Sequence, residues 1–200
     1  MASYPSPAGE ARAEIREKGS RFLAVIVPAA DEAAAKAALA ALVRRYPDAT
    51  HHCWAWRLGA PPRERSSDAG EPAGTAGVPI LQVLRGAGLS DVLAVVARWF
   101  GGTKLGKGGL ARAYAAATRA ALAALPVVTR VPIVRVTVSV PFVRVGAVKR
   151  LLRPPEVELE REEYVETGET GGTALLVLAV HAERREALRV ALGRLGLALS

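Results

Sequence analysis

The sequence predicts an α+β protein of two domains, residues 1–128 and 129–200. Three observations carry this. A nearly continuous apolar and β-branched run, Asp91 to Phe100, passes through a glycine-rich turn into a long helical stretch. Beyond Pro126 the elements read β-α-β-β-α. The charge also changes there: residues 1–130 hold 17 basic and 10 acidic side chains, residues 131–200 hold 10 and 9. A chain of 200 residues, half of them apolar, has length and substance for two packed cores.

Residues 1–14, with Pro5, Pro7 and Gly9, show little periodicity and are expected to form a loose arm. Arg21 to Val27 (RFLAVIV) has the length and β-branched content of a strand, ended by Pro28. Asp31 suits the N-cap of a helix whose Leu39, Leu42, Val43 and Tyr46 recur at helical spacing, with Pro47 as its stop. Thr50 to Leu58 reads as a strand, and Ala60 to Gly74 as a loop rich in Pro, Gly, Ser and charge. Ala76 to Leu84 is expected to form a short helix. Asp91 to Phe100 is a buried strand, Gly101 to Gly109 a turn, and Leu110 to Leu125 a helix broken by Pro126.

The second domain starts near Thr129. Strands are expected over Val131–Val140, Glu156–Glu162 and Ala174–Val180, with a turn at residues 168–172. Helices are expected over Val143–Leu152 and Glu183–Leu195, the latter with Gly196 as a left-handed cap. This order fits a ferredoxin-like sandwich whose last strand is short or absent.

No apolar run approaches the roughly 20 residues that span a bilayer. The start has no basic patch followed by an apolar stretch, so no signal peptide is expected. Cys53 is the single cysteine and has no intrachain partner. Together these point to the cytoplasm and a fold held without disulfides. Arg outnumbers Lys 22 to 5, there is no Asn, and Gln82 is the one Gln. That composition fits a thermophile, and equally a GC-rich genome.

The strongest chemical signal is the strand, glycine turn and helix from Asp91 to Leu125. Gly101, Gly102, Gly106, Gly108 and Gly109 let the backbone turn sharply and let an anion come close. The helix start offers free N–H groups and a partial positive charge. Lys104 and Lys107 stand in the turn, Arg98 ends the strand, and Arg112 and Arg119 share one helical stripe. The assembly suits phosphate. Gly101-x-x-x-x-Gly106-Lys107 matches seven positions of a P-loop, but Gly108 stands where Ser or Thr would ligate magnesium, so a P-loop NTPase is not expected.

Two further groups bear on chemistry. Asp68 and Glu71, flanking Gly70, suit metal ligation or acid–base work. They suit better a turn whose carboxylates accept backbone N–H groups or pair with arginines. His51 and His52 are adjacent on a strand and point to opposite faces, so they do not readily bind one metal together, and no second Cys or His group lies near them and Cys53. No metal and no cofactor is expected.

Four segments resemble signature motifs of the IMPACT family, in its bacterial, YigZ-like branch: Lys18–Phe22, Ala49–Cys53, Asp68–Leu81 and Ala97–Tyr114. The last two are long and specific. The resemblance implies a first domain similar to a ribosomal-protein domain and to domain four of elongation factor G. It implies a second domain similar to the ferredoxin-like fifth domain of that factor. It also implies a link to translation, since eukaryotic relatives damp the kinase response to amino-acid starvation. Those relatives carry a further N-terminal interaction domain that this chain has no room for.

The expected function is therefore binding of RNA or the ribosome, with a regulatory role, rather than catalysis. Arg98, Gly101, Gly102, Lys104, Lys107, Gly108, Gly109 and Arg112 would meet phosphates, with Arg119 and Arg21 completing the set. The rival is an enzyme using Asp68, Glu71 and His52 on a small phosphorylated or peptide-like substrate. A third reading is a module that docks on a translation factor through the acid-lined second domain. Oligomeric state is left open.

Overall fold

The computed structural model describes residues 3–166 and 172–199. It divides into two compact units, Ser3–Arg130 and the region from Val131 onward.

The first unit is built on a five-stranded antiparallel sheet. Its strands are β2 (Ala11–Glu17), β3 (Ser20–Pro28), β4 (His51–Leu58), β5 (Arg63–Ser67) and β6 (Val92–Trp99), in the order β2-β3-β6-β4-β5. Helix α1 (Glu32–Arg45) covers one face, where Val25, Leu42, Trp56, Leu93 and Val95 are buried. Helices α2 (Gly77–Gly86) and α3 (Gly106–Ala123) cover the other, over Phe22, Ile26, Cys53, Ala94 and Val96. Strand β6 is central and covered on both faces, so its apolar run never alternates. Asp31 caps α1 as its position suggested, its carboxylate accepting the Ala34 N–H at 2.8 Å.

Two expectations fail here. The N-terminal residues are not a loose arm. Tyr4–Pro7 forms β1, paired with β7 (Val127–Arg130), and β2 follows at once. The Tyr4 hydroxyl donates to Asp91 at 2.7 Å, which pins the segment beside β6. The loop from Ala60 to Gly74 contains strand β5, an edge strand paired with β4 alone.

The second unit holds a three-stranded antiparallel sheet in the order β8-β10-β9: β8 (Ile133–Pro141), β9 (Val157–Glu166) and β10 (Gly172–His181). Helices α4 (Phe142–Lys149) and α5 (Arg185–Gly193) bury Val145, Val148, Leu188 and Leu192 against Val138, Val140, Leu176 and Leu178. The β-α-β-β-α order is the one the sequence suggests. A 3₁₀ turn, Ala182–Arg184, opens α5, and Gly196 adopts the left-handed φ of +66° expected of its cap. Most of the turn expected at 168–172 lies outside the described residues.

Candidate nucleic-acid interface

Strand register sets the site. On β6, Arg98 pairs laterally with Phe22 of β3 and His51 of β4, all on the α2/α3 face of the sheet. The next residue, Trp99, faces the other way and pairs with Arg21. One-residue alternation therefore separates two arginines that the sequence groups together.

Arg98 is buried and does not stand free. Its Nη1 donates to Glu71 Oε1 at 2.6 Å and its Nη2 to Ser20 Oγ at 3.2 Å. The Tyr114 hydroxyl, on α3, donates to the same Glu71 oxygen at 2.7 Å. Burial drives the Tyr114 phenol far above its ordinary range, so it stays a donor. Its ring meets Phe22 edge-on, with centroids 5.2 Å apart. The Cys53 thiol donates to the Asp68 carbonyl at 2.9 Å and lies 3.3 Å from the Tyr114 hydroxyl. Burial pushes that thiol up to about 12. Arg98 Nε is buried with no partner among the described residues.

The Asp68–Glu71 loop is structural in the way the turn reading anticipates. The Glu71 N–H donates to the Asp68 carbonyl at 2.9 Å, across Ala69 and Gly70, whose φ values of +44° and +89° make a turn with both central residues left-handed. The Asp68 carboxylate accepts N–H groups from Gly74, Ala76 and Gly77 at 2.8–2.9 Å, where α2 begins. Burial would raise its pKa, but those three donors outweigh it and hold the carboxyl below its usual range. His51 Nδ1 lies 2.9 Å from the Ala69 carbonyl, whereas His52 Nε2 lies 2.9 Å from the Tyr46 carbonyl on the other side of the sheet. The group Asp68, Glu71 and His52 is thus not brought together.

Gly101 leaves β6 tight against Gly19 and Ser20, and its N–H donates to Ser20 Oγ at 3.2 Å. A Cβ there would run into the Gly19–Ser20 backbone, so glycine is required. The chain then bends in the open. Gly102, Lys104, Lys107 and Gly108 are all exposed. Helix α3 starts at Gly106, four residues earlier than periodicity suggests, with no capping side chain and no acidic residue in its first turn. A cleft of about 390 Å³ opens beside this turn. Buried Glu71 and Arg98 lie at its base, and Phe100, Leu110, Lys104 and Lys107 around it.

The cleft gathers Arg98, Lys104 and Lys107. Arg112 is exposed beside Gly108. Arg119 lies further along α3, over a hollow shared with Gln82 and Val83 of α2. Arg21 lies across the sheet, its guanidinium 3.6 Å from the centre of the Trp99 ring and 3.7 Å from Glu14. Sequence reasoning misses Ser20 and the polar role of Tyr114. Ser20 shares a face with Phe22 by alternation, which is a usable signal. Tyr114 carries in the sequence only the signal of an apolar helix face. In a larger hollow of about 590 Å³ in the second unit, near Leu188, both arginines have hydrogen-bond partners: Arg184 bonds Glu156 at 2.7 Å and Arg153 bonds backbone carbonyls.

Residues 18–122 match the family model described as the Impact N-terminal domain. A relative from Thermus thermophilus, described as an IMPACT family member in the pol 5′ region, is 47% identical over 149 residues, covering 74% of this chain and 80% of the relative. The IMPACT family member YigZ of Escherichia coli strain K12 is 35% identical over 167 residues, covering 82% of each. A crystal structure of a hypothetical protein, 32% identical, superposes with a TM-score of 0.74 over 100% of this chain and 97% of that one. The chain belongs to the IMPACT family.

Proposed function

We propose that this chain is a translation-associated RNA- or ribosome-binding protein that contacts RNA phosphates through the bend from Gly101 to Gly109. The observation that carries the proposal is the exposed bend itself. Two lysines, Lys104 and Lys107, flank one cleft beside a helix start that has neither a capping side chain nor an acidic residue in its first turn. Free N–H groups, the helix dipole and two ammonium groups form an anion-attracting surface. The positive balance of residues 1–130 extends the attraction beyond the cleft.

The link to translation rests on the family resemblance. Two fold expectations belong to the same reading: a first unit similar to the ribosomal-protein and elongation factor G domain-four fold, and a ferredoxin-like second unit lacking its last strand. The second unit's β8-β10-β9 sheet and β-α-β-β-α order support the latter.

Filter binding to total ribosomal RNA at low salt tests the site. The double variant Lys104→Ala/Lys107→Ala is expected to bind roughly tenfold more weakly or worse. Unchanged affinity would remove the bend from the interface.

A further inference from the structure

The geometry points to a narrower ligand for the same cleft: one unpaired nucleotide of a single strand, its base against Phe100 and its phosphate at Lys104, Lys107 and the first turn of α3. This rests on the RNA-binding reading above and adds which form of RNA is bound.

Charge in the cleft is partitioned by depth. The base of the cleft holds a guanidinium, Arg98, whose charge is matched by Glu71 at 2.6 Å, with both side chains over nine-tenths buried. A second phosphate-sized charge has no unmatched cation to meet there. The base is therefore polar but neutral, and suits a ring bearing donors and acceptors. The unmatched positive charge is all higher up, on exposed Lys104 and Lys107 and at the helix start.

Between these levels stands Phe100, a large aromatic side chain 49% exposed. The Arg98 guanidinium carbon lies over one face of this ring, 5.5 Å from its centre, so a base would stack on the other face. Leu110 and Leu105 add apolar surface. An exposed aromatic beside a basic turn is the arrangement on which unpaired bases stack. A cleft of about 390 Å³ has depth for one ring system, near the lower end of the about 300–1,000 Å³ typical of small-ligand sites. A duplex keeps the faces of its bases stacked inward and presents phosphates, sugars and groove edges, so it would reach the lysines and leave Phe100 unused.

The test compares a fluorescein-labelled single-stranded RNA oligonucleotide with a blunt-ended duplex of the same sequence by fluorescence anisotropy. The proteins are the intact chain and its Phe100→Ala, Phe100→Trp and Lys104→Ala/Lys107→Ala variants. The single strand is expected to bind more tightly than the duplex. Phe100→Ala should weaken the single strand by roughly five- to a hundredfold and Phe100→Trp should retain it, with duplex affinity unmoved in both. Equal affinity for both forms, with Phe100→Ala without effect while the lysine variant weakens both, overturns the single-nucleotide site and leaves phosphate binding standing. No salt-sensitive binding of either RNA overturns both.

Discussion

Arg98 and Glu71 meet 2.6 Å apart with 6% and 3% of their side chains exposed, and the Tyr114 hydroxyl closes on the same carboxylate oxygen. Three elements far apart in sequence are tied at this point: the end of β6, the turn before α2 and the first half of α3. The pair orients the cleft without being available to a bound anion.

A buried ion pair is costly to break from one side. Glu71→Ala leaves a guanidinium buried and uncompensated, and should lower unfolding free energy by about 3–5 kcal/mol. The double variant Glu71→Leu/Arg98→Met, which removes both charges, should recover much of that loss. Urea denaturation followed by circular dichroism measures both. Equal destabilisation by the single and double variants would contradict this role for the pair.

Asp68 gives stability a pH dependence of known sign. Its carboxyl is held below the usual range in the folded state, chiefly by three backbone N–H donors acting against burial. Its contribution is therefore complete above the ordinary carboxylate range and fades as the pH falls through the lower folded-state value. Asp68→Ala should cost about 1–2 kcal/mol at neutral pH. That difference should shrink on acidification, as read from urea midpoints across a pH series.

The Cys53 thiol, raised to about 12 by burial, should be inert in the folded protein. A thiol-reactive dye should label it only after denaturant is added. Stoichiometric labelling of the native protein within seconds would place the thiol at the surface.

At Gly101 a Cβ has no room beside Gly19 and Ser20, whereas at Gly102, with φ of +86°, nothing lies near. Gly101→Ala should therefore cost about 1–3 kcal/mol through displaced backbone. Gly102→Ala should cost about 1 kcal/mol, from the left-handed conformation alone. Thermal melts of the two variants separate these causes.

Much of the fold is legible in the sequence because its elements carry one-dimensional patterns. Strand β6 shows an unbroken apolar run, α1 has Asp31 before it and Pro47 after it, and Gly196 sits where a helix ends. Strand β5, with the sequence RERSS, has no such pattern, since an edge strand paired on one side needs no apolar alternation. Tyr4–Pro7 is hidden by its two prolines, which a two-stranded edge ribbon tolerates. Helix α3 begins among glycines that propensity assigns to a turn. Gly109, whose absent side chain lets Leu105 close in, shows the packing that overrides it. In the site, local composition picks out Lys104 and Lys107. It has no means to show that Arg98 is matched by a carboxylate 27 residues away, or that alternation sends Arg21 to the opposite face.

The most direct test of phosphate binding at the bend is the salt dependence of RNA affinity, measured for the intact chain and for Lys104→Ala/Lys107→Ala. Every phosphate that a lysine no longer neutralises lowers the slope of log affinity against log salt by about 0.7–0.9. Binding through the bend predicts a shallower slope for the double variant, by about 1.4–1.8, together with weaker binding at low salt. Identical slopes and identical affinities in the two proteins would contradict it.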